Sequence, residues 1–232
     1  MSNLPLVTDA TAAPDQAAAL SAVKKAMGAV PNLTRAMAHS PALLHGYLGL
    51  AGGLDRGTLD RSTRERLAIA IAQSNACSYC LSAHTYLGQK VAGLSAEQVA
   101  AARKGDADDA KTAALLTFAV TVNEHRGQID DSALAAVRHA GASDAEIAEV
   151  IGHVGLNVLT NYFNNVAHTD IDFPVVSAGS IPLMWWCVTP KPQDQHCTIT
   201  YRKKSRREVR PVISSENSLA WVAAMHPEAF KR

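Results

Sequence analysis

Ala and Leu dominate the first three quarters of this chain, and helix-starting and helix-ending residues break them into segments. Asp15 to Met27 reads as a helix stopped by Gly28, and Pro31 and Pro41 each open another. The second of these runs through Leu43-Leu44-His45-Gly46-Tyr47-Leu48 and ends near Gly52-Gly53. Ser62-Thr63-Arg64-Glu65, Ser95-Ala96-Glu97-Gln98 and Ser143-Asp144-Ala145-Glu146 all have capping-box spacing. Between the last two lie a helix from about Asp109 to His125, ended by Gly127, and a shorter one from Asp131 to His139. A final core helix is predicted from Asp144 to about Ala167. Alternating β-branched runs and Asn-Gly or Asp-Gly turns are missing, so residues 15 to 167 read as all-α, a helical bundle.

The chemistry concentrates between Glu65 and His84. Cys77 and Cys80 are three positions apart, His84 follows four after Cys80, and Glu65 stands twelve before Cys77. At about 100° per residue, Cys77, Cys80 and His84 share one helix face. Ser74-Asn75 are poor mid-helix residues and good caps, so a new helix is predicted to begin at Asn75 or Ala76. Cys77 then falls in the first turn, where the helix dipole favours a thiolate. Glu65 reaches the thiols only if the chain bends, because twelve residues of straight helix span about 18 Å. The cysteine helix runs to about Ala92 and stops at Gly93.

Each of these residues also has a plainer reading. The cysteines suit core packing, Glu65 suits the capping box, and Cys77, Cys80 and His84 are all zinc-ligand types without an evident fourth. An all-helical setting removes a thioredoxin-type explanation of Cys-x-x-Cys. His125 falls in the last turn of a helix, where a cation suits the dipole. His153, Asn157 and Asn161 form a polar line on an apolar helix, which fits an interhelical hydrogen-bond network, an oligomer contact or a pocket wall.

Glu65, Cys77, Cys80 and His84 fill every position of the signature of the alkylhydroperoxidase D-like (AhpD-like) branch of the carboxymuconolactone decarboxylase family, which the chain resembles. Val30-Pro31-Asn32-Leu33 and His39-Ser40-Pro41-Ala42-Leu43-Leu44 resemble the N-terminal part of the family's peroxidase-related members. Asn161-Tyr162-Phe163-Asn164-Asn165 and Asp170-Ile171-Asp172-Phe173-Pro174 resemble their C-terminal end. The resemblance implies an AhpD-like bundle over residues 1–176 that reduces organic hydroperoxides through a dithiol/disulfide cycle. It carries over Cys80 as the attacking thiol, Cys77 as resolving thiol and proton donor, and His84 and Glu65 as proton carriers, without bound cofactor or metal. Helix position alone favours Cys77 as the more acidic thiol, so the two arguments disagree. The implied partners are a hydroperoxide, a dithiol or protein thiol reductant, and further copies of the chain in a trimer or hexamer. The rivals are a cofactor-free lactone decarboxylase, as in the family's dithiol-less members, and a non-catalytic redox-sensing or zinc-binding module.

Charge changes the picture only at the end of the chain. The whole carries +1, which gives no general case for nucleic acid or a membrane surface. From Ser177 onward Lys and Arg outnumber Asp and Glu by 9 to 4, and all three tryptophans (Trp185, Trp186, Trp221) lie there. Residues 177–232 therefore read as a basic tail, including Arg202-Lys203-Lys204-Ser205-Arg206-Arg207, Cys187 and Cys197. A short strand at Thr198 to Tyr201 and a short helix from Leu219 to Met225 are its only element signals. Disorder or a shifted reading frame fits this tail better than a second domain. The first residues lack a signal-peptide pattern and no stretch reaches a membrane span, so a cytoplasmic location is expected. In that reducing compartment, Cys-x-x-Cys points to redox or metal chemistry over structural disulfides.

Overall fold

The computed structural model describes residues 2–179, and the tail's basic cluster, tryptophans, remaining cysteines and element signals lie outside that range. Among the described residues the chain is all helical: α1 (Pro14–Met27), α2 (Asn32–Met37), α3 (Pro41–Leu54), α4 (Arg61–Ser74), α5 (Ser78–Lys90), α6 (Ala96–Ala102), α7 (Ala110–Glu124), α8 (Asp131–His139) and α9 (Asp144–Ala167). No helix among them is long and apolar enough to cross a membrane.

The bundle is built round α4, which packs against α5, α6, α7 and α9. Thr63 and the unbroken run Arg66 to Ala72 are all buried, as expected of a helix enclosed on every side. The one charge in that run, Arg66, pairs with Asp108 at 2.6 Å. Gln98 holds the other Asp108 oxygen at 2.7 Å. The Arg66 guanidinium beside it draws the Asp108 carboxyl down to about 2.

Side-chain caps start most helices. Ser40, Ser95, Asp109, Asp130 and Ser143 each accept an N–H from the first turn. The box expected at Ser62–Glu65 does not form. Asp60 caps α4 instead, accepting from Thr63 N at 2.8 Å. That leaves the Glu65 carboxylate free of the helix start.

The α4–α5 junction turns sharply. Asn75 ends α4, Ala76 takes a left-handed conformation (φ 49°), and Cys77 is the N-cap of α5. The predicted break at Ser74-Asn75 is present, with the new helix starting two to three residues later than expected. Three other asparagines hold the turn. Asn123 of α7 donates to Asn75 Oδ1 at 2.9 Å, Asn75 donates to Asn161 Oδ1 of α9 at 3.0 Å, and Asn165 donates to the Asn75 carbonyl at 3.0 Å. A left-handed non-glycine costs about 1–2 kcal/mol. Ala76→Gly is expected to stabilise the domain by about 1 kcal/mol and raise its melting midpoint by about 2–4 °C in a thermal scan.

The two flanking motifs meet at Tyr79, between the cysteines. Its hydroxyl accepts from Leu33 N at 3.0 Å and donates to Asp172 Oδ1 at 2.7 Å. Asp172 Oδ2 in turn accepts from Asn32 N at 3.0 Å, and the Tyr79 ring meets Phe173 edge-on at 5.9 Å. Burial holds the phenol well above its ordinary pKa. Tyr79→Phe strands two buried partners, so it is expected to cost about 1–3 kcal/mol, read as a lower midpoint in chemical denaturation. Beyond Asp172 the chain runs back along α5. Val176 N and Ala178 N donate to Ser82 and Ser78, and Ala178 O accepts from Gln73 at 2.8 Å. The chain thus stays docked two residues beyond the change in composition at Val176.

Candidate active site

The return of α5 along α4 brings Glu65 to His84, with His84 Nδ1 and Glu65 Oε2 2.8 Å apart. The twelve-residue gap is closed by the turn at Asn75–Cys77, as the spacing requires. Behind this pair sit two free thiols, both buried. Cys77 Sγ caps α5 by accepting from Cys80 N at 3.4 Å. Cys80 lies in the first helical turn, and its Sγ accepts from Asn164 Nδ2 of α9 at 3.2 Å. The structure therefore brings together all four residues singled out by the sequence.

Helix position favours Cys80, not Cys77, once the true start of α5 is known. Cys77 is the cap and Cys80 occupies the first turn, so the earlier assignment of the more acidic thiol is reversed. The hydrogen bond from the Cys77 thiol is the largest influence on Cys80. Burial opposes it, but His84 and the Asn164 and Asn161 amides add to it, and Cys80 falls to about 6. The same S–H···S⁻ bond, reinforced by burial, pushes Cys77 far up. One sulfur is thus the anion and the other its proton donor.

His84 is under opposing influences. Burial pulls the imidazole down, while the Glu65 carboxylate and the Cys80 charge pull it up, and the net shift is upward. The His84 side chain is 27% exposed and Cys80 is 2% exposed, so the imidazole is the solvent-facing member of the group and the sulfur the enclosed one. With Nδ1 engaged by Glu65, Nε2 is the nitrogen left to exchange protons. Tyr47 of α3, which sequence reasoning passed over, lies near enough to feel the site's charges: burial, then Cys80, Asp55 and Glu65, push its phenol up to about 12, so it stays neutral.

The polar line on α9 divides by position. Asn157 bonds back to the His153 carbonyl at 2.9 Å within its own helix, while Asn161 joins the network at the α4–α5 turn. Asn164, one turn further, reaches the thiolate. His153 is buried and pulled down, chiefly by burial and then by Arg64. His125 ends α7, with its Nδ1 3.0 Å from the Thr121 carbonyl, and has no part in the site. Among the described residues no group of three His, Cys, Asp or Glu side chains is arranged to hold a metal ion.

Comparison with known proteins agrees with this architecture. Residues 41–117, which include all four signature residues, match the model of the carboxymuconolactone decarboxylase family. No curated protein matches the chain. A structure described as an alkylhydroperoxidase AhpD core, an uncharacterised peroxidase-related protein from Ralstonia eutropha JMP134, is similar with a TM-score of 0.65 at 23% identity. The match covers 74% of this chain and 92% of that one. An uncharacterised peroxidase-related protein from Silicibacter sp. TM1040 is similar with a TM-score of 0.61 at 21% identity, over 72% and 91%. The debrominase Bmp8, in complex with 2,3,4-tribromopyrrole, also reaches 0.61, at 16% identity over 73% and 91%. At these identities the likeness is one of fold.

Proposed function

We propose that this chain of the carboxymuconolactone decarboxylase family, matched over residues 41–117, is a thiol-dependent peroxidase acting on organic hydroperoxides. The observation that carries the reading is the polarised dithiol: Cys80 drawn down to about 6 by a Cys77 thiol, with the His84–Glu65 pair beside it. In the proposed cycle the Cys80 thiolate attacks the terminal oxygen of ROOH. The O–O bond breaks, RO⁻ leaves and takes a proton from His84, and Cys80 becomes a sulfenic acid. Cys77 then attacks the Cys80 sulfur, forming the disulfide and releasing water. An external dithiol reduces the disulfide, is itself oxidised, and returns both thiols. The balance is one ROOH and one dithiol consumed for one alcohol, one water and one oxidised dithiol.

The experiment is hydroperoxide consumption coupled to a dithiol reductant, with tert-butyl hydroperoxide as probe. Saturable turnover that disappears on prior alkylation of Cys80 supports the reading, and no turnover above the uncatalysed rate removes it. A lactone acid assayed beside the peroxide tests the decarboxylase alternative, which predicts turnover that survives alkylation. Self-association is part of the proposal. Ile151, Tyr162 and Val166 of α9 are exposed at 50%, 56% and 74%, and these apolar side chains are the surface on which the proposed contact with a second copy rests. Light scattering on wild type and Val166→Glu tests it, and a monomeric wild type would refute it.

A further inference from the structure

Two buried polar atoms beside Cys80 make no full hydrogen bond, the donor Asn161 Nδ2, near enough to the sulfur to favour its charge, and the acceptor Asn164 Oδ1. They lie on the same face of α9, one turn apart. Asn161 cannot turn its amide round without loss, because Asn75 Nδ2 donates to its Oδ1 at 3.0 Å. Asn75 is itself fixed by Asn123 and Asn165. The turn that places the thiols therefore also fixes which end of Asn161 is left over. Asn164 uses its Nδ2 on the Cys80 sulfur at 3.2 Å, which leaves its Oδ1 unengaged. A buried amide atom without a partner is costly in a native protein, and its persistence calls for an explanation.

We infer that Asn161 and Asn164 form the hydroperoxide-recognition element of the site, with Asn164 Oδ1 accepting the terminal O–H of ROOH and Asn161 Nδ2 donating to the peroxide oxygens. The inference rests on the peroxidase reading and adds the groups that hold the substrate. The –O–O–H end of a hydroperoxide offers one donor and several acceptor lone pairs, which complements one acceptor and one donor beside the sulfur. After oxygen transfer the same two atoms face the Cys80–OH group, with Asn161 donating to its oxygen and Asn164 accepting its hydrogen. An alkyl halide or other electrophile without an O–H makes no use of this pair.

The test compares two electrophiles on the full chain in a Cys77→Ser background, where the sulfenic acid is not resolved. Single-turnover oxidation of Cys80 by tert-butyl hydroperoxide is followed by dimedone capture, and alkylation by methyl iodide in parallel, both read at the Cys80 peptide by mass spectrometry. Each rate is followed over pH and taken at its own alkaline plateau, so differences in thiolate population drop out. Asn161→Leu and Asn164→Leu are expected to slow the peroxide reaction by about 10–100-fold and alkylation by less than about threefold. Asn164 bonds only the sulfur, so its variant stays interpretable even if Asn161→Leu disturbs the turn. Equal slowing of both electrophiles, or no slowing, overturns the inference while leaving the peroxidase reading in place. A wild-type Cys80 inert to the peroxide but open to methyl iodide overturns the peroxidase reading and the inference with it.

Discussion

Cys80→Ser is expected to abolish peroxide turnover, with a loss of at least about 10³-fold, while Cys77→Ser keeps a single oxidation event and loses the cycle. The asymmetry follows from the S–H···S⁻ bond. Removing Cys80 removes the anion that attacks oxygen. Removing Cys77 removes the resolving thiol and the strongest influence holding Cys80 near 6. A serine hydroxyl at position 77 still donates to the thiolate, so the first step survives in Cys77→Ser. Sulfenic acid then accumulates at Cys80 and is readable by dimedone capture. Multiple turnover with a dithiol reductant separates the two variants, and equal loss of the first step in both would mean that the sulfurs share the attack.

Glu65→Gln is expected to cost about 10²-fold at pH 7 and to move the acid limb of the rate profile to higher pH. In the wild type the rate climbs as Cys80 ionises through about 6 and declines once His84 loses its proton, above its ordinary value of 6.5. Glu65 is the main influence raising that imidazole against burial. Without its charge burial prevails, His84 is neutral at pH 7, and Cys80 loses a facing cation. The sign for stability follows directly. A histidine raised by folding stabilises the native state below its unfolded pKa, and that contribution fades as pH rises through the folded value. Glu65→Gln should therefore narrow the stability difference between pH 5 and pH 8. Rate profiles and melts measured across that range check both. A variant with an unmoved acid limb would show that His84 does not act on the thiol.

Local signals in the sequence were enough for the bundle. Proline starts, glycine stops and Ser or Asp caps sit within a few residues of the ends of α1, α3 and α5 to α9, because such signals act over one turn of backbone. The four-residue signature was legible for the same reason at the thiols. It was also legible at Glu65, where the spacing demanded a bend and Ser74-Asn75 supplied one. The start of α4 differs from the expectation because Asp60 and Ser62 both make good caps, and the backbone geometry of Asp60 decides between them. That choice released Glu65 for His84. Tyr47 and Asn164 were not singled out, since their roles come from α3 and α9 packing beside α5, and no local spacing records which helices become neighbours. The acidity order of the thiols turned on a shift of two to three residues in the start of α5, smaller than cap residues alone resolve.

Tyr79 has a consequence for how the protein is made. The acceptor for its hydroxyl, Asp172, is synthesised 93 positions later, which at translation speeds of about 5–20 residues per second is a delay of roughly 5–20 s. Throughout that interval the dithiol turn is on a nascent chain without the partner that anchors Tyr79 between the thiols. The reactive centre is therefore assembled last, when the end of the domain emerges and locks over Tyr79. A chain stalled or cut before Asp172 would lack the acceptor that fixes Tyr79 between the two cysteines.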